Sequence, residues 1–247
     1  MSDYIEGKRP VIEALRTRVP LQRIIMADNL QRDGLVQDIL RKAKAAGVEV
    51  EQAPRAQLDK LSERGSHQGI MAQAAPFPYA NLQDILVRAD AQFEKTQRAL
   101  IVVLDHITDA GNLGAIARSA EVVGAAGIVI PNKRSAHVTA ATYKSSAGAI
   151  AHIPVAQVAN LKAALERAKE AGFWVAGASE KATQTIWQSN LAGKMVLVMG
   201  NEGEGLARLT QETCDFLMTL PQVGETASLN VAQSATACMY EWLRQNY

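Results

Sequence analysis

Apolar residues along the chain follow two rhythms that alternate. LQRIIMA (21–27) and GIMAQA (69–74) are short apolar runs of the kind that form strands. Between them GLVQDILRKAKAAG (34–47) carries apolar residues at helical spacing and ends on Gly47, a residue suited to stop a helix. Pro10 is placed to begin a short helix near the start. Further on, ALIVVLD (99–105) is almost continuously apolar, the pattern of a strand buried on both faces of a parallel sheet. GIVIP (127–131), FWVAGA (173–178), KMVLVMG (194–200) and CDFLMTLP (214–221) repeat that signal, with helical segments between most of them. The alternation predicts an α/β fold with a parallel sheet in its second part, preceded by a smaller α/β unit. Pro76 and Pro78, a short helical pattern and a charged tail mark a change of composition between the two. The expected division is 1–76, a connecting stretch 77–97, and 98–247.

Composition narrows the function classes. The 247 residues include 26 Lys and Arg against 25 Asp and Glu, so no global basic field draws in nucleic acid and any such surface has to be local. Lys8, Arg9, Arg16, Arg18 and Arg23 are the candidate patch. The two cysteines, Cys214 and Cys238, lie far apart without a C-x-x-C spacing and the four histidines are scattered, so no metal site is expected. The opening MSDYIEGKRPVIEAL has no apolar core of a signal peptide, and no run approaches the ~18 apolar residues of a membrane span. A cytoplasmic protein with no membrane partner is the expectation.

Three segments carry candidate chemistry. In LDHITDAGNLGAIARSAEVVG (104–124), whose middle is DAGNLGAIARSA, Asn112 is a candidate helix N-cap and Gly124 a stop. Ile116, Ala120 and Val123 share the buried face. Arg118 lies ~200° from Ile116 around that helix, pointing away from the core. It is free for a ligand there, or pairs with Glu121 on a solvated face. VMGNEGEGL (198–206) is a glycine-rich loop directly after a strand. Its glycines fit neither G-x-G-x-x-G nor the P-loop, which argues against a dinucleotide-binding dehydrogenase. Glu202 and Glu204 oppose a phosphate, so an uncharged or cationic ligand suits the loop better than an anion, and an ordinary turn stays open as the alternative. In LPQVGETASLNV (220–231), Ser228 or Asn230 can cap a final helix with Val231, Ala235, Cys238, Tyr240 and Leu243 among its apolar positions. Met239, Trp242 and Leu243 are candidates for core or dimer contact.

Taken together and in this order, the three segments resemble the three motifs of the SpoU/TrmH family of RNA ribose 2′-O-methyltransferases. YIEGKRPVIEAL and HQGIMAQ are similar to that family's N-terminal RNA-binding domain, which is like a small ribosomal protein, and YKSSAGAIAHIPV (143–155) resembles its Lys-x-Ser-Ala-Gly-Ala segment. The nearest subgroup by resemblance is the two-domain enzymes acting on a guanosine of 23S ribosomal RNA. The resemblance implies a SPOUT domain with a C-terminal trefoil knot, a rare topology that no periodicity here would predict. It also implies S-adenosylmethionine as methyl donor without a metal, and a homodimer that builds its RNA-facing site across two subunits. It carries the catalytic set onto Asn112, Arg118, Glu202, Ser228 and Asn230, and donor binding onto backbone groups at Gly200, Leu220 and Leu229. Ala110, Gln222 and Ala232-Gln233 depart from the family pattern and flank the polar set without altering it. A transfer RNA target, or a non-catalytic RNA-binding or ribosome-assembly protein, are the competing expectations. The four intact polar residues Asn112, Arg118, Glu202 and Asn230 weigh against the second.

Overall fold

A computed structural model describes residues 4–62, 65–226 and 228–247. By internal contacts the chain divides into two units, the first comprising residues 1–78 and 138–148 and the second 79–137 and 149–247.

In the first unit the order is β1 (Tyr4–Glu6), α1 (Lys8–Arg16), β2 (Leu21–Ala27), α2 (Gly34–Ala45), β3 (Glu49–Ala53), α3 (Arg55–Leu61) and β4 (Ile70–Ala74). The strands form one sheet in the order β1-β4-β2-β3; β4 runs antiparallel to both β1 and β2, and β3 parallel to β2. Helix α2 begins where the Asp33 carboxylate accepts the Val36 N–H at 2.9 Å, and beyond its end Gly47 turns with φ 69°. Ile25, Ala27, Ala53, Leu58 and Met71 make the core under one face of the sheet. The short helix built from Ala140–Ser145 groups with this unit although it lies far along the chain.

The second unit is built on a six-stranded sheet. Its chain order is α4 (Leu82–Thr96), β5 (Ala99–Leu104), α5 (Ala110–Val122) and β6 (Gly127–Pro131). The Ala140–Ser145 helix, α6, follows. Then come β7 (Val155–Val158), α7 (Leu161–Glu170), β8 (Trp174–Ala178), β9 (Lys194–Met199), α8 (Arg208–Thr213), β10 (Phe216–Met218) and α9 (Val231–Asn246). The spatial order is β10-β8-β9-β5-β6-β7, and every neighbouring pair is parallel. All six residues of β5 are buried, as a strand covered on both faces requires. Most of the stretch 77–97 is the helix α4, whose Leu82, Ile85, Leu86 and Ala89 are buried in the core with Ile101, Val129 and Val196, so that stretch is mainly a structural layer of this unit. Helix α9 returns from the far edge of the sheet to pack on α5, where the Ser119 and Thr236 hydroxyls bond at 2.7 Å. Among the described residues no helix is long and apolar enough to cross a membrane.

Candidate active site

The site lies at the carboxyl ends of β8, β9 and β10, the edge where an open parallel sheet leaves room for a ligand. A cleft of about 190 Å³ opens there. This is several times the ~30 Å³ that one water occupies, so it is ligand-sized and not a packing void. Its walls are the turn after β8, the loop after β9, the segment Thr219–Gln222 after β10, and Ser228, Leu229 and Cys238 from the approach to α9 and the helix itself.

The loop after β9 is a closed hairpin. Asn201 and Gly205 exchange both backbone hydrogen bonds at 2.9 Å, and the Asn201 side chain accepts the Gly203 N–H at 2.8 Å. At Gly200 the chain folds back on itself so tightly that a Cβ would lie 2.3 Å from the Gly205 carbonyl carbon and 2.5 Å from the Leu206 nitrogen. Only glycine fits that approach. The hairpin is also tied to the end of β5. Asp105, 1% exposed, accepts the Ala207 N–H at 2.7 Å with one carboxylate oxygen and bonds His106 Nδ1 at 2.6 Å with the other; the Asn201 amide donates to the His106 carbonyl at 2.9 Å. His106 holds the left-handed conformation (φ 57°) that turns the chain toward α5.

Three of the residues singled out in the sequence meet. Glu202 Oε1 accepts the Asn112 amide at 2.9 Å, the Asn230 amide at 2.7 Å and the Val231 backbone N–H at 3.3 Å, and the Asn230 amide also reaches Asn112 Oδ1 at 3.0 Å. This network joins the starts of α5 and α9 to the hairpin. Asn112 is not the helix cap expected from the sequence: Asp109 caps α5, accepting the Asn112 backbone N–H at 2.7 Å, and Asn112 sits inside the first turn with both ends of its side chain in the network. Asn230 caps α9, its Oδ1 accepting the Ala232 N–H at 2.9 Å while its amide nitrogen serves the network.

Gly200, Leu220, Ser228 and Leu229 line the cleft, and Glu202 belongs to both the cleft and the network. Ser228 lies outside the network. Arg118 is brought to neither. It is exposed on α5, six residues and about 9 Å along the helix axis from Asn112, and among the described residues it forms no ion pair, with Glu121 or any other carboxylate. Met239 and Trp242 are fully buried, which makes them core; Leu243 is partly buried. Burial pushes the thiol of Cys238, at the cleft floor, up to about 12, so it is a neutral wall group at physiological pH.

Asp105, His106 and Asn201 were not singled out in the sequence. The signal for Asp105 was present: a carboxylate ending an otherwise wholly apolar strand, at the sheet edge where ligands bind.

Comparison with known proteins gives one answer. The SpoU rRNA methylase family matches residues 99–240, and an RNA 2′-O ribose methyltransferase substrate-binding domain matches residues 4–80. A Bacillus subtilis protein, YacO, named for the TrmH family of tRNA/rRNA methyltransferases, is 42% identical over 245 residues, covering 98% of this chain and 96% of its own. A Synechocystis protein, slr0955, named as a tRNA/rRNA methyltransferase, is 40% identical over 98% of this chain and 62% of its own. The SpoU methyltransferase AviRb of Streptomyces viridochromogenes, solved in complex with S-adenosylmethionine, superposes with a TM-score of 0.70 at 26% identity, covering 99% of this chain and 90% of AviRb. A cleft at the sheet's carboxyl edge, walled by a glycine hairpin and closed by the start of the last helix, thus accompanies sequence matches across both units, and the chain belongs to the SpoU/TrmH family of RNA methyltransferases.

Proposed function

We propose that this chain transfers a methyl group from S-adenosylmethionine to a ribose 2′-hydroxyl of ribosomal RNA, with a guanosine of 23S RNA as the expected target. The observation that carries the donor assignment is the hairpin at Gly200. It presents backbone without side chains to a cleft walled by Glu180, Glu202 and Glu204, and such a surface suits a sulfonium cation and an uncharged nucleoside better than a phosphate. Backbone groups at Gly200, Leu220 and Leu229 are the proposed holders. The donor supplies an electrophilic methyl carbon when bound.

The rest falls to the chain's own residues. In the transfer the 2′-oxygen gains the methyl group, the sulfur–carbon bond breaks, and the hydroxyl proton leaves. Arg118 carries a guanidinium cation, a donor-only group with no lone pair to act as a base. Its proposed task is to grip the neighbouring RNA phosphate, orient the hydroxyl and stabilise developing negative charge on its oxygen, the phosphate oxygen taking the proton. Asn112, Glu202 and Asn230 hold the hairpin and the two helix starts in one geometry, and Ser228 shapes the cleft mouth.

Arg118 does not line its own chain's cleft, which supports a site completed by a second copy. On the α5–α9 face, Val122 is 60% exposed and Tyr240 49% exposed. A homodimer across that face would cover both and carry Arg118 to the partner. The first unit is proposed to grip the RNA, with Arg9 and Arg18, which form no ion pair among the described residues, facing it. The test is methylation of purified ribosomal and transfer RNA by the full chain with labelled donor, followed by mapping of 2′-O-methyl marks. Label on a 23S guanosine supports the reading; label on transfer RNA alone replaces the substrate, and no transfer to either refutes it.

A further inference from the structure

At the end of β8 the cleft carries a charged turn that the donor assignment leaves without a role. Lys181 is the one cation among the described residues lining the cleft, where it shares the wall with the carboxylates of Glu180, Glu202 and Glu204. Neither Lys181 nor Glu180 nor Glu204 forms an ion pair among the described residues. The backbone beneath Lys181 is fixed: its N–H donates to Ser179 Oγ at 3.3 Å, the Ala182 N–H to the Ser179 carbonyl at 3.1 Å, and the Ser179 N–H to the Met218 carbonyl on β10 at 2.9 Å. A long flexible side chain with an unpaired ammonium is therefore delivered to the cleft mouth from a rigid base.

We propose that Lys181 pairs with the α-carboxylate of the methyl donor and makes the cleft selective for donors that carry it. The inference rests on the donor assignment above. S-adenosylmethionine has three charges: a sulfonium, an ammonium and a carboxylate. The acidic wall suits the first two and repels the third. Without a cation in the wall the carboxylate would face like charge, and Lys181 is the cleft residue whose chemistry meets it. Because the turn is exposed to solvent, the pair is screened and its expected worth is modest, about fivefold in affinity.

The test is a cycle of two ligands and three forms of the full chain. Calorimetry measures S-adenosylmethionine and decarboxylated S-adenosylmethionine, which keeps the sulfonium and the amine, on the unaltered chain, Lys181→Ala and Lys181→Arg. The expected result is that Lys181→Ala binds S-adenosylmethionine about fivefold more weakly and the decarboxylated ligand unchanged, with Lys181→Arg restoring the difference. Equal weakening of both ligands would mean lost packing and overturn the assignment. Unchanged donor affinity also overturns it, and if RNA binding weakens instead, Lys181 faces a phosphate. Failure of the unaltered chain to bind either ligand takes down the donor assignment together with this one.

Discussion

A methyl group added at Gly200 is the sharpest probe of whether the hairpin holds the donor as proposed. The Cβ of Gly200→Ala would lie 2.3 Å from the Gly205 carbonyl carbon, 2.5 Å from the Leu206 nitrogen and 2.6 Å from the Gly205 oxygen. All three are backbone atoms, so no side chain can swing aside, and the two limbs have to part by about 1 Å to reach ordinary contact. That movement opposes the paired Asn201–Gly205 bonds, the buried Leu206 side chain and the Ala207–Asp105 bond. Overpacking of this kind costs about 1–3 kcal/mol, and at ~2–4 °C per kcal/mol for a chain of this size the melting temperature falls by roughly 2–12 °C. Donor binding should fall further, by at least about tenfold, since a 1 Å displacement breaks the backbone hydrogen bonds the hairpin would offer. The neighbouring glycines supply internal controls. Gly205 has φ 70° and open space around its Cβ position, so Gly205→Ala meets only backbone strain, worth about 1 kcal/mol. At Gly203 the nearest atom is Asn201 Oδ1 at 3.6 Å, an ordinary contact, and Gly203→Ala should be close to neutral. Thermal denaturation by circular dichroism and calorimetric titration with S-adenosylmethionine read both effects. If Gly200→Ala binds the donor as the unaltered chain does, or if Gly203→Ala is as damaging, the hairpin does not form the donor's cradle.

Arg118→Ala and Arg118→Lys should both abolish single-turnover methyl transfer while leaving donor affinity and melting temperature nearly unchanged, because the side chain is exposed and an ammonium lacks the planar two-point grip on phosphate; an active Arg118→Ala enzyme eliminates the proposed mechanism. Arg9 and Arg18 form no ion pair among the described residues, so reversing both to Glu should weaken RNA binding and reduce the salt dependence of the binding constant by about one logarithmic unit of slope per lost phosphate contact; filter binding across salt concentrations measures it, and an unchanged slope removes them from the RNA surface. Burial pushes the Cys214 and Cys238 thiols up from 9.0 to about 12. Between those values the unfolded chain loses thiol protons that the folded chain keeps, so stability present below pH 9 should decline as pH rises toward 12. Urea titrations across that range should show a shallower decline for Cys238→Ala, and identical slopes would refute the burial argument.

Elements with enough apolar signal could be read from the chain directly. β5 and the Ile116–Ala120–Val123 face of α5 are buried as their spacing predicts. Short edge strands were harder: β3, EVEQA, offers only Val50 and Ala53 as apolar positions and owes its conformation to pairing with β2. The sequence offers Asn112 as a candidate cap at the start of α5. Asp109, three residues earlier, takes that role, which leaves both the Oδ1 and the amide of Asn112 to the contacts with Asn230 and Glu202. The expected basic patch also changes once partners are known. Lys8 pairs with Asp33 at 2.6 Å, Arg16 with Glu13 at 2.7 Å and Arg23 with Glu51 at 3.0 Å, so three of its five cations are partly neutralised. Charge along a sequence does not reveal such pairs, because their members lie up to dozens of positions apart. Arg118 has the residue type and the outward direction expected of it, yet its distance from the cleft is a property of the helix it rides on.

The Glu202 carboxylate ties together segments that leave the ribosome at different times. Asn112 on α5 emerges first, the hairpin follows 90 positions later, and Asn230 comes 28 positions after that. A nascent chain folded as far as β10 lacks Ser228, Leu229 and Cys238 from the cleft lining, and its Glu202 lacks the Asn230 amide and the Val231 N–H. Closure therefore waits for α9 to dock on α5, and these long-separation contacts form late and slowly. Until α9 is in place the proposed donor cleft is open on that side, so the last helix completes the site as well as the fold.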